Sequence, residues 1–274
     1  MSVNQGNQIV KWRNEIELGL AALAENAACD SLVLKNGAHY VLQGGGKRLR
    51  ALLTVALHHD MAKGSVDTEL PMVPALALEA LHAASLVHDD LPALDNDDMR
   101  RGRPACHKAF GEASAILLGD LLVGVAFSSI HHYHIALDKQ ARLSAILSRA
   151  WGELCIGQQL DLDAAQVDLD AAQEPSQRYR MLELKTGALF GAAAACGAIC
   201  ADAKDEVVQG LYKWGVALGV LFQKLDDVAD GERAESELNG VREGCFALRS
   251  ALSEIASERC KMSEEVFNLI LQLS

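Results

Sequence analysis

Apolar residues recur at the spacing of a helix along almost the whole chain. Residues 8–27, QIVKWRNEIELGLAALAENA, place apolar side chains three or four positions apart, which puts them on one face of an α-helix. After the glycines at 44–46, the same period resumes in LRALLTVALHHDMA. No segment shows the two-residue alternation that is typical of a half-buried strand. The pattern therefore predicts an all-α fold.

Several of the predicted helices are apolar on nearly every face. They are ALALEALHAASLVHDD, EASAILLGDLLVGVAFSSI and RYRMLELKTGALFGAAAACGAICA. A helix that is apolar all round belongs in the interior of a protein, which indicates a large bundle with central helices. Neither a linker composition nor a fixed-period repeat interrupts the chain, so we predict a single domain over residues 1–274.

The composition supports this prediction and narrows the function. The 274 residues are 50% hydrophobic but only 5% aromatic, and a formal net charge of −12 argues against a general nucleic-acid binder. Uninterrupted apolar runs stay below the roughly 18 residues that cross a membrane. The polar start MSVNQGNQIVKW lacks a signal-peptide core, and the irregular spacing of the seven cysteines indicates reduced thiols. We therefore expect a cytoplasmic protein with no nucleic-acid partner and no transmembrane segment.

Two groups of aspartates carry the first chemical signal. Five aspartates lie within ten residues of LVHDDLPALDNDDMRRGRP, beginning with Asp89, and a second group follows in LFQKLDDVADGE, where Asp226 and Asp230 share a helix face. Close carboxylates repel one another unless a proton or a cation intervenes. Carboxylate oxygens favour Mg²⁺, which completes its shell with water and substrate phosphate. The two groups, each at the end of an apolar helix, predict one diphosphate clamped between them.

Simpler explanations compete with this metal site. A lone Asp-Asp pair on a helix most often belongs to a solvated face. An EF-hand calcium loop is excluded, because counting from Asp95 puts Arg100 where that loop needs its turn glycine. A second aspartate group beside a long apolar helix, and the basic pair Arg100–Arg101 directly after the first group, favour a phosphate site over a solvated surface.

Further basic residues precede the first aspartate group. The segment QGGGKRLR is not a Walker A loop, because Arg48 stands where Ser or Thr is required. Its glycines, Lys47 and Arg50 can still present backbone N–H groups and cations to a phosphate, although a helix N-terminus with ordinary surface charges would look the same. His82 lies seven residues before Asp89 and shares its helix face. The alternative for this histidine is a satisfied core residue.

Five separate motifs together resemble a known family. They are GGGKRLR, HAASLVHDDLPALDNDDMRRGRPACHKAFGEASAILLGD, GQQLDL, KTGALF and FQKLDDVAD. Their order and spacing, from about residue 40 to residue 230, resemble the short-chain trans-prenyl diphosphate synthases, the farnesyl and geranylgeranyl diphosphate synthase family. The resemblance implies the isoprenoid synthase fold, a large helical bundle around a central cavity.

The resemblance also implies an activity and partners. It implies a prenyltransferase that condenses isopentenyl diphosphate with dimethylallyl, geranyl or farnesyl diphosphate by Mg²⁺-assisted ionisation, condensation and elimination, with Mn²⁺ as an alternative metal. No protein nucleophile is needed, which agrees with a sequence that carries no Ser-His-Asp or Cys-His signature. A homodimer is implied too, and the alanine-rich segment FGAAAACGAICA would suit close helix packing.

Individual residues take their expected roles from the resemblance. The implied metal ligands are Asp89, Asp95 and Asp226, with Asp90, Asp227 and Asp230 beside them. The residues implied at the allylic diphosphate are Arg100 and Lys185, which complete the catalytic set with Asp89, Asp90, Asp95 and Asp226. The residues implied at the isopentenyl diphosphate are Lys47, Arg50, His82 and Arg101. The residues implied to line the allylic cation are Thr186, Gln223 and Gln158.

One position bears on product length. In the family, an aromatic residue five positions before the first aspartate group closes the pocket and goes with farnesyl products. Ala84 stands at this position, with Ser85 next to it. A small residue there predicts an open pocket, which favours geranylgeranyl diphosphate (C20) over farnesyl diphosphate (C15).

The sequence departs from the family after the second aspartate group. The family's Gly-Lys pair is missing, the C-terminal region looks shortened, and Arg233 or Arg242 are the candidates to replace the lysine. Two alternatives therefore stay open: a weakly active or non-catalytic subunit of a heteromeric synthase, and a class I terpene cyclase. The cyclase is disfavoured because Lys47, Arg50 and His82 supply a second diphosphate site.

Overall fold

Helices make up almost all of the described structure. The computed structural model describes residues 3–27, 30–62, 69–132, 135–166 and 175–229, with positions 243, 244, 247, 250, 251, 254 and 265–269. The α-helices are α1 (Val3–Ala27), α2 (Leu32–Leu42), α3 (Leu49–Met61), α4 (Glu69–Asp89), α5 (Cys106–Phe110), α6 (Glu112–His132), α7 (Leu137–Gln166), α8 (Pro175–Leu182), α9 (Ala188–Cys200) and α10 (Asp205–Ala229). A π-helical turn, Glu183–Gly187, joins α8 to α9.

The all-α prediction is confirmed. Within the described ranges, the only strands are the two-residue β1 (Met99–Arg100) and β2 (Arg103–Pro104). They form an antiparallel hairpin between α4 and α5. The single domain over residues 1–274 stays a prediction.

The centre of the bundle is α9, every residue of which is buried. It packs most extensively on α10 and also on α3, α4 and α7. The contact with α10 needs small residues, because a Cβ at Gly215 would lie 2.5 Å from the carbonyl oxygen of Phe190. The alanine-rich segment therefore does pack closely, but inside the chain, and its surface is not available to a second copy.

The turn after α4 folds back on the end of that helix. The backbone N–H of Asp95 donates to the carbonyl oxygen of Asp89 at 2.9 Å. The chain then enters the β1–β2 hairpin, which is held against α2 where the Tyr40 hydroxyl donates to the Pro104 carbonyl at 2.8 Å. The guanidinium of Arg103 lies 3.8 Å from the Tyr40 ring centroid. These contacts fix the hairpin that carries the basic pair Arg100–Arg101.

Three described helical stretches are long and apolar enough to cross a membrane, judged by length and composition alone. They are Glu69–Asp89, Glu112–His131 and Pro175–Cys200, and 78%, 44% and 89% of their most apolar windows are buried inside the protein. Each window tolerates isolated charged residues, which is why the uninterrupted runs in the sequence looked shorter. The absence of a transmembrane segment stays a prediction.

Candidate active site

A cavity of about 730 Å³ lies where α3, α4, the hairpin, the π-helical turn and α10 meet. The sequence-predicted residues that line it are Lys47, Arg50, His82, Ser85, Asp89, Arg100, Arg101, Lys185, Thr186, Gln223 and Asp226. These residues come from four of the five motifs, all but GQQLDL, so the fold gathers both aspartate groups and both basic elements around one space.

Other predicted residues are not among those that line this cavity. Asp90, Asp95, Gln158 and Ala84 lie outside its wall. Asp227 is buried and accepts a hydrogen bond from the Gln223 amide at 2.9 Å. Three further residues lie outside the described part of the chain: Asp230, Arg233 and Arg242.

The glycine loop before α3 forms one basic wall. Gly45 and Gly46 have φ values of 85° and 130°, a region that favours glycine, and the Gly45 carbonyl accepts a hydrogen bond from the Arg101 guanidinium. Lys47 lies with its Nζ 5.4 Å from the ring centroid of Phe222 and 3.8 Å from Asp226 Oδ1. The loop therefore turns Lys47 and Arg101 towards the cavity.

Arg50 places a cation with a buried Nε in this wall. Its guanidinium stacks 4.6 Å from the ring centroid of Phe190, and its Nε is buried without a hydrogen-bond partner. Burial lowers the pKa of Arg50 to about 10, and the neighbouring Arg101 adds to this fall. A buried guanidinium with an unused donor is a site that an anionic ligand would satisfy.

His82 projects from α4 among the arginines. Burial lowers its pKa well below the ordinary 6.5, and the charges of Arg50, Arg101 and Arg48 lower it further. The imidazole is therefore neutral at pH 7 and can donate one N–H to a phosphate oxygen. The alternative of a satisfied core histidine does not fit a residue that lines the cavity.

Asp89 forms the acidic wall at the end of α4. Burial raises the pKa of its carboxyl to about 6; Lys185 opposes this rise, and Asp95 and Asp90 add to it. The Asp95 carboxylate lies beside it and accepts a hydrogen bond from the Gln158 amide at 3.4 Å. Such a carboxylate group holds more negative charge than its surroundings offset, so it favours a bound cation.

Asp90 has a different place from the one expected of a metal ligand. Its side chain is almost fully buried and points to the hairpin, where Arg100 Nε donates to Asp90 Oδ1 at 2.9 Å. Arg100 also donates to Asp97 Oδ2 at 2.7 Å. These bonds raise the pKa of Arg100, Asp90 being the largest cause. Asp90 therefore holds Arg100 at the cavity wall rather than facing the cavity itself.

Lys185 and Thr186 lie on the π-helical turn, a form of helix that is common at functional sites. Lys185 pairs with Asp161 of α7. The Thr186 hydroxyl donates to Gln223 Oε1 at 3.2 Å, which joins the turn to α10. Lys185, Thr186 and Gln223 thus occupy one wall together.

Sequence reasoning missed four residues that shape this site. Three of them contact cations, namely Asp161 at Lys185, Phe190 under Arg50 and Phe222 beside Lys47. Glu79, the fourth, is a cavity-lining carboxylate on α4. The helical period offered a signal for Glu79, which precedes His82 by three positions on one face of the helix. The other three depend on contacts between different helices.

The chain matches known proteins over most of its length. The family model described as polyprenyl synthetase matches residues 32–242. Farnesyl diphosphate synthase from Escherichia coli is 44% identical over 194 residues, which cover 68% of this chain and 62% of the relative. A putative chloroplastic geranylgeranyl pyrophosphate synthase from Arabidopsis thaliana is 37% identical over 215 residues, which cover 76% of this chain. That match spans only 58% of the Arabidopsis protein.

Solved structures match the whole fold. The apo structure of an FPP/GFPP synthase from Zymomonas mobilis superposes with a TM-score of 0.86 at 30% identity, and the match covers 99% of this chain and 100% of that one. A geranyltransferase from Legionella pneumophila gives a TM-score of 0.86 at 29% identity, with 98% of each chain covered. The expected isoprenoid synthase architecture is confirmed.

Proposed function

The chain belongs to the polyprenyl synthetase family, and we propose that it is a prenyltransferase that joins isopentenyl diphosphate to an allylic diphosphate. One observation carries the proposal: a single cavity is lined by Asp89 and Asp226 as well as by Lys47, Arg50 and Arg101. Carboxylates suit a metal-bound diphosphate, while arginines and lysine suit a second diphosphate directly. A reaction between two diphosphate esters needs both kinds of diphosphate site.

The residues present fit Mg²⁺. Asp89 and Asp226 supply carboxylate oxygens to the cavity. Burial raises the pKa of Asp89, so a cation would stabilise its ionised form. In the part of the chain that the structure describes, no three acidic, histidine or cysteine side chains form a ready metal group. Mg²⁺ commonly takes only one or two carboxylates and completes its shell with water and substrate phosphates. When bound, the metal neutralises charge on the leaving diphosphate.

The protein's own residues orient the allylic substrate. Arg100, held by Asp90, and Lys185, held by Asp161, place two cations at the cavity wall near Asp89. They would stabilise the diphosphate as its bond to the allylic carbon breaks. The Thr186–Gln223 pair presents hydroxyl and amide dipoles to the allylic cation that remains.

The second substrate, isopentenyl diphosphate, would bind at the opposite wall of the cavity. Lys47, Arg50, His82 and Arg101 can hold the diphosphate of isopentenyl diphosphate, with neutral His82 donating a hydrogen bond. The isopentenyl double bond then forms a carbon–carbon bond to the allylic cation, and the new cation loses a proton to the departed diphosphate. Apolar residues of the same wall, such as Leu154, Leu189 and Phe222, keep water from the cation.

We further propose geranylgeranyl diphosphate as the favoured product, with farnesyl diphosphate as the alternative. The support is the small side chain of Ser85 in the cavity wall and the absence of an aromatic residue at position 84. An aromatic side chain beside the aspartate end of α4 would shorten the space for a growing tail.

We also propose a homodimer whose interface is formed by α6 and α7. Ile116 and Leu117 of α6 are 46% and 57% exposed, and Ile156 of α7 is 56% exposed. Exposed apolar side chains on neighbouring helices are typical of an association surface. The expected result in analytical ultracentrifugation is a dimer that Leu117→Glu dissociates, while Asp138→Lys at an exposed site on α7 leaves it intact.

The activity is tested with the purified chain, Mg²⁺, isopentenyl diphosphate and each of the three allylic primers. Chromatography should show products extended by five-carbon units, and EDTA should abolish them. A chain that forms no extended product with any primer, while remaining folded, contradicts the proposal and favours a non-catalytic subunit. Cyclic hydrocarbons from an allylic diphosphate alone would favour a terpene cyclase.

A further inference from the structure

A buried carboxylate lies within the basic half of the cavity. Glu79 stands on α4 three residues before His82, and its side chain is only 3% exposed. The proposed chemistry uses the surrounding cations to bind a diphosphate, which a carboxylate would repel. A buried carboxylate is stable only when charge and hydrogen bonds compensate its lost hydration. The contacts of Glu79 therefore indicate what it does there.

One oxygen of Glu79 caps another helix. Glu79 Oε1 accepts a hydrogen bond from the backbone N–H of Ala51 at 3.3 Å. Ala51 is the third residue of α3, so its N–H has no partner within that helix. A negative charge at this end also complements the helix dipole. Glu79 thus fixes the first turn of α3, which carries Arg50.

The other oxygen of Glu79 holds Arg48. Arg48 Nη1 donates to Glu79 Oε2 at 3.3 Å, and the same guanidinium donates to Glu17 Oε1 at 2.8 Å and to the Leu42 carbonyl at 2.6 Å. Arg48 is the N-cap of α3 and has a left-handed φ of 53°. Because its donors are used within the protein, Arg48 ties α1, α2 and α4 to the start of α3 rather than offering a cation to substrate.

The negative charge of Glu79 also affects Arg50 and Arg101. Burial lowers the pKa of both Arg50 and Arg101, and the Glu79 carboxylate opposes the fall at each of them. The two guanidiniums also repel each other. A fixed negative charge that acts on both offsets this repulsion while no diphosphate is bound.

We infer that Glu79 is a positioning residue of the isopentenyl diphosphate subsite, which holds Arg50 and the start of α3 in place for the incoming diphosphate. The inference rests on the proposed function and assigns this residue a role within it. Glu79 acts through Arg48 and the α3 backbone and needs no contact with substrate.

Glu79→Gln tests the inference because the amide keeps the size of the side chain and removes its charge. Steady-state kinetics with Mg²⁺ should show a rise of about tenfold in KM for isopentenyl diphosphate, the size expected for losing a charge-assisted contact. The KM for the allylic primer and kcat should stay within about twofold. Glu112→Gln is the matched control, because it makes the same chemical change at an exposed position of α6 that does not line the cavity.

A binding measurement separates this inference from the proposed function. Calorimetric titration of the chain with inorganic diphosphate in EDTA reports on the basic subsite without turnover, and Glu79→Gln should weaken that binding about tenfold. Unchanged or tighter binding would overturn the inference, since Glu79 would then be only a competing charge. An equal rise in the KM of both substrates would also overturn it, as that indicates general loss of structure. A wild-type chain without turnover contradicts the proposed function, and the titration still decides the role of Glu79.

Discussion

A methyl group at Gly157 of α7 would lie 2.2 Å from the backbone nitrogen of Lys185. The two backbones therefore touch, and no other residue fits at position 157 without moving the π-helical turn. This contact sets the distance at which Lys185 meets Asp161, one helical turn further along α7. Gly157, the first residue of GQQLDL, therefore helps to position Lys185 at the cavity wall.

Gly157→Ala is expected to displace that lysine. The added methyl should lower the free energy of unfolding by about 1–3 kcal/mol, as overpacking does. A shift of the turn by about 1 Å should lower kcat about 100-fold. Gly152→Ala is the control, because nothing lies within 4 Å of a Cβ at this other glycine of α7. Wild-type kinetics in Gly157→Ala would show that the close contact has no role in catalysis.

Removing either cavity-lining aspartate should remove the metal's hold on the allylic diphosphate. Asp89→Ala and Asp226→Ala are each expected to lower kcat about 100- to 1000-fold at saturating Mg²⁺, the cost of one lost transition-state contact of this type. Asp138→Ala, at an exposed position of α7, should leave the rate unchanged. Near-normal turnover in either cavity variant contradicts the proposed metal site.

Asp89 is also expected to weaken the metal-free fold at high pH. Its carboxyl pKa is raised from 3.8 to about 6, chiefly by burial, so the folded protein binds this proton more tightly than the unfolded chain. The free energy of unfolding therefore falls as the pH rises from 3.8 to about 6. In EDTA at pH 8, Asp89→Asn should raise the free energy of unfolding by about 1–3 kcal/mol. Urea titrations should find a smaller gain at pH 5, and an equal gain at both pH values would refute the explanation.

The two basic groups should give different kinetic defects. Lys47→Ala and Arg101→Ala are expected mainly to raise the KM for isopentenyl diphosphate, because both side chains belong to the glycine-loop wall. Arg100→Ala should mainly impair use of the allylic primer, since Asp90 holds Arg100 near Asp89. Initial rates measured with each substrate varied in turn distinguish the two patterns. The same defect in all three variants would mean that the two subsites are not separate.

Product length should depend on the wall near the end of α4. Ser85 lines the cavity, whereas Ala84 is fully buried on another face of the helix. One helical turn is about 5.4 Å, close to one isoprene unit, so Ser85→Phe should shorten the main product by at least one five-carbon unit. The resemblance predicts the same for Ala84→Phe. Chromatography of the products decides between the two positions, and Ser85→Ala is the control that should keep the wild-type length. If neither phenylalanine changes the product, this helix does not set its length.

The sequence by itself determined the helices and much of the site. Apolar spacing is a local property, so it revealed α4 and α10 without knowledge of their neighbours. The same local geometry placed His82 and Asp89 on one face, because a helix fixes the direction of residues seven positions apart. Both residues line the cavity.

Only the tertiary structure decided which of two adjacent aspartates faces that cavity. The two are adjacent in the motif, but Asp89 ends α4 and Asp90 begins the turn that follows, so their side chains point in different directions. Asp89 therefore meets the cavity, while Asp90 meets Arg100 of the hairpin.

The sequence also did not predict the ion pairs that hold these side chains in place. Lys185 pairs with Asp161 across 24 positions, and Arg48 pairs with Glu79 across 31. No local pattern encodes such pairs, because they exist only where separate helices pack together. The sequence therefore determined which side chains could carry the chemistry, and helix packing decided which partners hold each of them in place.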